Sequence, residues 1–355
     1  MVPDTPNPLD QLLPVKHPQH DFFICDVADA VLKDLMPKME HPFYALSKKP
    51  DISIRRYEYG DKWLEVIPSA KGQATIYDKD ILIYVVSQVI AKLNRGEAVS
   101  RRIRFSPHDF LIFVNRGTGG KDYDAFCEAL ERLMGTVIKT NISTVLDDDI
   151  PLGDEEDTGM FHLIESANVR RKDGSKGRIL WAEIEISEWI FNGIRRKNVL
   201  TLHRDYFRLR KPIERRVYEI ARKLCGNQDE LTISLSKLLA RTGARAELKR
   251  FRHTIRELVR YDHLPDYTLS YDEEKDSVTF RWIGEGKRTA LPSSWKGSLE
   301  PNVYQDGREA APGWDIHRLE REWREWLGKT GKTPRHPKAS FLGFCRSRYV
   351  KHGSP

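Results

Sequence analysis

The chain has 355 residues, 31% of them charged and 39% hydrophobic, with a formal net charge of +7, long enough for two or three domains with at least one sizeable core. Its longest apolar run, ILIYVV at residues 81–86, is far too short to span a bilayer, and the first residues lack the basic-then-apolar pattern of a secretory signal. Cys25, Cys127, Cys225 and Cys345 lie far apart, which argues against a Cys-x-x-Cys zinc site or a disulfide framework and suits a reducing cytoplasm.

Residues 1–20 hold five prolines and read as a disordered lead. Residues 52–68 read as a hairpin: ISIRRYEY, a Gly-Asp turn, then KWLEVIP. DKDILIYVVSQVIAKLNRG has acidic residues at its start and a glycine at its end, which predicts a helix over roughly 79–94. SPHDFLIFVNRG follows, with Ser106 as cap and Pro107 at the first helical position, and its helix should stop before Gly117. After the loop GTGG at 117–120, YDAFCEALERLMG repeats Phe126, Leu130, Leu133 and Met134 at helical spacing. Strand-like segments come next at 136–142, 161–169 and 179–186, with the acidic run 147–157 between two of them as a loop.

The same order then recurs. Residues 210–226 form a helix with Pro212 near its start and Gly226 at its end, LTIS at 231–234 is a short extended piece, and Ser234 can cap LSKLLAR. Thr242-Gly243 makes a turn into AELKRFRHTIRELVRY, and DYTLSYDEEKDSVTFRWIG at 266–284 is a hairpin with a charged tip. Helix, helix, turn, helix, then a hairpin is the winged-helix order. The expected architecture is therefore α+β, with two tandem winged-helix domains at 21–198 and 199–284. Residues 285–313 read as a linker, 315–328 as a helix, and the remainder as a basic tail, so that 285–355 is a C-terminal helical and basic segment.

Charge is unevenly spread along these elements. Residues 1–160 carry 19 Lys+Arg against 26 Asp+Glu, whereas residues 200–260 carry 16 against 7 and residues 311–355 carry 10 against 4. Such concentration points to an acidic partner, nucleic acid first. On a helical wheel of residues 245–260, Leu248, Phe251, Ile255, Leu258 and Val259 share one arc, and Arg245, Lys249, Arg252, Arg256 and Arg260 share another. The helix can bury the first stripe and offer the second to the major groove, where an arginine fork meets guanine O6 and N7 and discriminates by about 1–3 kcal/mol per contact. The expected DNA-binding set is Arg245, Lys249, Arg252, His253, Arg256 and Arg260, with Lys237 and Arg241 from the helix before and Arg215 and Arg216 from the neighbouring helix, which also carries Arg222 and Lys223. In the first copy the corresponding helix, KDYDAFCEALERLM, holds two basic and four acidic residues, a surface that repels phosphate and suits protein contact. Arg101, Arg102, Arg104, Arg116 and Lys121 are the auxiliary DNA-contact candidates of that copy.

Three stretches, IRRYEYGDKWLEVIPSAKGQATIYDKDILIYVVSQ (54–88), NRGTGGKDYDAFCEALERLMGTVIKTNI (115–142) and YFRLRKPIERRVYEIARKLCG (206–226), resemble the replication initiator protein A family of plasmids. The resemblance covers about residues 21–285. It implies a theta-type initiator of tandem winged-helix build that binds repeated double-stranded sequences at a plasmid origin, in a bacterial cytoplasm. It also implies a homodimer in equilibrium with monomer through the first domain, with dimers repressing the initiator's own gene, and recruitment of a host helicase or its loader. By position, residues 245–260 become the recognition helix of the second domain and 121–134 the equivalent segment of the first.

Motifs for chemistry fail on inspection. Gly331-Lys332-Thr333 ends like a phosphate-binding loop, but Trp326 stands where its first glycine belongs, and Asp122 spoils Gly120-Lys121. His17 and His20 in the lead are a poor match to a nicking enzyme's metal pair. The acidic clusters 147–149 and 154–157 lack the glycine-punctuated calcium pattern, and Trp314, Trp323 and Trp326 are expected to pack rather than stack on bases. The expectation is a non-enzyme without cofactor or metal; a winged-helix transcriptional repressor with no role in replication is the alternative.

Overall fold

A computed structural model describes residues 11–17, 25–26, 43–47, 50–59, 61–141, 158–172, 179–195, 200–225, 228–283, 299, 301–330, 334 and 336–353. The acidic run 147–157 lies outside them.

The first unit opens with strand β1 (Cys25–Asp26) and the hairpin β2 (Arg55–Tyr59) and β3 (Lys62–Ile67). Helix α1 (Lys79–Asn94) is apolar on all sides, and Ile81 through Val86 are all buried, which makes it the central helix of the unit. Strand β4 (Arg102–Phe105) leads to α2 (Pro107–Phe113), whose Ser106 cap accepts from the Asp109 N–H. Helix α3 (Gly120–Gly135) precedes β5 (Val137–Thr140), β6 (Gly159–His162), β7 (Ile164–Arg171) and β8 (Ile179–Ile186), and α4 (Glu188–Arg195) closes the unit. Two antiparallel sheets result, ordered β2-β3-β5-β6 and β4-β8-β7. Tyr84, Phe105, Phe110, Phe113 and Phe126 meet mostly edge-to-face between helices and sheet, with centroids 5.0–6.4 Å apart.

The second unit follows β9 (Leu200–Thr201), which pairs back with β1. It comprises α5 (Pro212–Cys225), β10 (Glu230–Ser234), α6 (Leu235–Thr242), α7 (Leu248–Tyr261) and the hairpin β11 (Tyr267–Asp272) and β12 (Ser277–Trp282). Its sheet is ordered β10-β12-β11. The short strand after the first helix therefore pairs with the last hairpin strand, just as β4 pairs with β8. The two units have leading helices of 16 and 14 residues, unlike sequences and three-stranded sheets of like order; the first unit adds β5 and β6 between its third helix and its hairpin. One hydrophobic cluster runs through both units, bridged by contacts such as Phe113 with Phe207 at 5.5 Å.

Three expectations change at the ends of the chain. The lead is not free: among residues 11–17, Leu12 is buried, Leu13 donates its N–H to the Arg208 carbonyl and accepts from Arg208 Nε, and Lys16 donates its N–H to Asn115. The linker contains helix α8 (Pro301–Ala310), and the tail contains α10 (Pro337–His352) after the expected α9 (Ile316–Thr330). These three helices enclose their own small core around Trp323, Leu319 and Phe341. Trp323 is fully buried in it, whereas Trp326 at its edge is 38% exposed.

Candidate nucleic-acid interface

Helix α7 buries Phe251, Ile255 and Leu258 and half-buries Leu248 and Val259, the stripe expected from the wheel. Its angle to α6 is fixed by the intervening turn. Gly243 takes φ +67° there, a left-handed conformation that suits glycine, and the buried Thr242 hydroxyl donates to Leu239 and accepts from the Ala244 N–H. The face opposite the core presents Lys249, Arg250, His253, Arg256 and Arg260, all exposed. Among the described residues Lys249, Arg250 and Arg260 have no carboxylate partner, and neither does exposed Lys237 on α6.

Arg252 and Arg256 are not free. Arg252 donates from Nε and Nη2 to the two oxygens of Asp276 at 3.1 and 2.9 Å and from Nε to the Tyr271 hydroxyl at 3.0 Å. Arg256 donates from Nε and Nη2 to Glu273 at 2.8 and 2.6 Å. Both carboxylates sit on the β11–β12 turn, and both guanidinium groups stay accessible, at 28% and 51% exposure. Hydrogen bonds from Arg252 and Tyr271 hold the Asp276 carboxyl below the usual carboxylate range, and the bond from Arg256 does the same for Glu273. His253 lies 3.8 Å from Glu257, which also meets Lys211.

Arg245 is not on the helix at all. Glu247 is the N-cap of α7, so Arg245 lies in the preceding loop, where it donates to Ser53 at 2.6 Å and faces Asp51 of the first unit. A cleft of about 670 Å³ opens beside this contact, lined by Asp51, Arg55, Lys211, Gly243, Arg245 and Arg250 among others. Arg241 is half-buried, and its carbonyl accepts from Arg216.

Arg215 and Arg216 are corrected outright: they are buried, and no duplex can reach them. Arg215 donates to Asp80 at 2.8 Å, to the carbonyls of Phe207 and Leu209, and lies over Tyr206. Arg216 meets Glu219 at 3.2 Å, and Glu219 in turn holds Lys79 at 3.1 Å and the Tyr206 hydroxyl at 2.6 Å. Arg222 and Lys223 are buried too. Of these cations of α5, Arg215 joins the two units through Asp80, Arg216 is held within the second unit, and Arg222 reaches Asp315. In the first unit Arg116 pairs with the same Asp80 at 2.8 Å. Arg101 and Arg102 pair with Glu185, and Arg104 pairs with Glu183 over the Trp181 ring. Lys121 is exposed on α3, beside a face of Asp124, Glu128 and Glu131, so that helix keeps its acidic surface. Sequence reasoning overlooked Arg250, which the wheel places about 80° beyond the cationic arc, and the hairpin carboxylates, for which the run DEEKD at 272–276 was the available signal.

Among the described residues no group of three or more His, Cys, Asp and Glu side chains could hold a metal ion, and no helix is long and apolar enough to cross a membrane.

Fold and surface define a protein of two like α+β units, with a cationic helix on the second. The chain belongs to the replication initiator protein A family, whose model matches residues 33–269. A relative from Wigglesworthia glossinidia brevipalpis, described as a candidate replication protein, is 40% identical over 262 residues, covering 73% of this chain and 92% of that one. The crystal structure of domains 2 and 3 of RctB is similar in fold, with a TM-score of 0.51 at 14% identity over 71% of this chain and 97% of that one. A second crystal structure of the same RctB domains aligns with a TM-score of 0.49 at 16% identity.

Proposed function

We propose that the protein is a plasmid replication initiator that binds repeated double-stranded sequences at its origin and represses its own gene. Both units are read as winged helices, the second as the principal DNA-binding one. The observation that carries this is the outer face of α7: Lys249, Arg250, His253, Arg256 and Arg260 stand exposed on the side opposite Phe251, Ile255 and Leu258. In a helix-turn-helix arrangement that face is the one offered to the major groove. Lys237, Lys249, Arg250 and Arg260 then neutralise phosphates and supply affinity, while Arg252 and Arg256 read base edges. Several copies on adjacent repeats strain a neighbouring AT-rich duplex, and a host helicase or its loader is recruited to it. The acidic face of α3 suits a protein contact, which fits dimerisation through the first unit. The protein performs no catalysis in this scheme.

Selection of bound fragments from random duplex DNA, with stoichiometry read by mass, tests the reading. The expected outcome is an enriched repeat bound by one chain per half-site. Replacing Lys249, Arg250 and Arg260 together by alanine should weaken binding to every duplex and reduce the dependence of log K on log salt by roughly 3, about 1 per lost phosphate contact. No enrichment, or a salt slope untouched by the triple substitution, would sink the reading.

A further inference from the structure

We infer that Asp276 and Glu273 are positioning residues for base recognition: they clamp Arg252 and Arg256 along the Nε/Nη2 edges and leave the Nη1/Nη2 edges set to meet guanines. The inference rests on the reading that α7 enters a duplex, and it adds a role for groups that this reading leaves unexplained.

The geometry is specific. A guanidinium offers a side edge, Nε with Nη2, and an end edge, Nη1 with Nη2. In both arginines the carboxylate occupies the side edge, and among the described residues Nη1 makes no hydrogen bond. The end edge is the one that can still deliver two parallel bonds to guanine O6 and N7. Arg252 and Arg256 are one helical turn apart, about 6 Å along the axis, which is close to two base-pair steps of about 3.4 Å each.

The clamp is itself anchored. Asp276 sits at φ +45° in the hairpin turn, and its carbonyl accepts from the Leu235 N–H at 2.8 Å, which ties the turn to the start of α6. Its carboxylate also accepts from the Tyr271 hydroxyl, and the Tyr271 ring lies 5.8 Å beneath the Arg256 guanidinium. Strand register holds Tyr271 opposite Val278 and Asp272 opposite Ser277. Two long side chains that would otherwise sample many rotamers are thus fixed before any duplex arrives, which lowers the ordering cost of binding.

Charge points the same way. Residues 272–276 carry four carboxylates against Lys275, so this turn repels phosphates and does not grip the backbone. A turn that lowers general DNA affinity earns its place if it orients the reading arginines. The competing role is a mask, in which the same carboxylates compete with DNA for the arginines.

Asp276→Asn and Glu273→Gln separate the two. Asp276 is half-buried and Glu273 exposed, at 36% and 59%, and asparagine tolerates a left-handed backbone, so thermal unfolding should change little. Each substitution removes a negative charge, which by electrostatics alone would tighten binding to all DNA. A clamp predicts the opposite for the selected repeat: affinity falls by roughly tenfold while affinity for random duplex holds or rises, and preference relaxes at the guanines that Arg252 and Arg256 read. In an Arg252→Ala background, Asp276→Asn should then have no effect on specificity. Equal or tighter binding of the repeat by both variants, with wild-type preference retained, overturns the clamp alone. A wild-type protein that does not distinguish the repeat from random duplex overturns the DNA reading and the clamp with it.

Discussion

Arginines of similar sequence context have opposite fates in this molecule, and the difference lies in what faces them. Arg216 and Arg256 both sit on amphipathic helices among other cations, yet Arg216 is 5% exposed against Glu219 and Arg256 is 51% exposed against Glu273. Glu219 joins Lys79, Arg216 and Tyr206 in a space where the lysine is fully buried. Burial, reinforced by the Glu219 charge, pushes the Tyr206 phenol well above its ordinary range, so it stays protonated and donates. Removing the carboxylate would leave two buried cations without their shared countercharge, the costly way to break an ion pair. Glu219→Ala should therefore cost about 3–5 kcal/mol in urea unfolding, with no change in the salt slope of DNA binding for the fraction that remains folded. A loss under about 1 kcal/mol would show that water or a rearranged neighbour takes the carboxylate's place. Arg216 and Glu219 are three residues apart on α5, but the partners from the first unit were not legible from its sequence: Asp80, which binds Arg215, lies 135 positions away, and a wheel drawn on one helix has no knowledge of it.

At the level of elements, most of the pattern was legible, because apolar periodicity and caps act locally. The wheel assigned the α7 core stripe, Ser106 and Pro107 marked the start of α2, and Gly243 marked the α6–α7 turn. It erred at the start of α7, where the helix begins after the Glu247 cap and drops Arg245 into the loop. Two of the C-terminal helices, α8 and α10, were missed for a physical reason. PNVYQDGREA and PKASFLGFCRSRYVKH each hold a glycine inside, which local propensity penalises by about 1 kcal/mol. Packing decides instead: a Cβ on Gly307 would run into the Ile316 side chain and come within 3.2 Å of the Phe341 ring, so the glycine lets α8 approach α9 and α10 closely. The α6–α7 turn makes a sharper prediction. With Gly243 at φ +67°, Gly243→Ala should destabilise by about 1–2 kcal/mol in thermal or urea unfolding, and any shift of α7 should weaken repeat binding in step. Unchanged stability would mean that the turn relaxes without strain.

The whole molecule is two units sharing one apolar cluster and a third helical piece with its own core, and the connection between them is narrow. Tyr349 donates its hydroxyl to the Asn94 carbonyl at 2.9 Å, and Arg222 on α5 reaches Asp315 at 2.9 Å while donating to Thr201 at 2.7 Å. Arg222 is 5% exposed and Asp315 10%, so this pair is a buried tie between the second unit and the C-terminal helices. Although burial opposes the charge, Asp315 raises the Arg222 pKa, and the guanidinium remains charged at any working pH. Asp315 also accepts from the Arg318 N–H at 3.2 Å at the start of α9. Asp315→Asn keeps an acceptor for that cap and removes the charge opposite Arg222, which isolates the tie from the helix start. The amides of α8, α9 and α10 should then exchange with solvent faster, by the several kcal/mol that a broken buried pair releases, roughly 3–5, whereas amides of α1 and α7 keep wild-type protection. If α8–α10 exchange at the wild-type rate, their own core around Trp323 holds them independently and the Arg222–Asp315 pair is dispensable for docking. If α1 and α7 loosen as well, the C-terminal helices are part of the main cooperative unit rather than a piece attached to it.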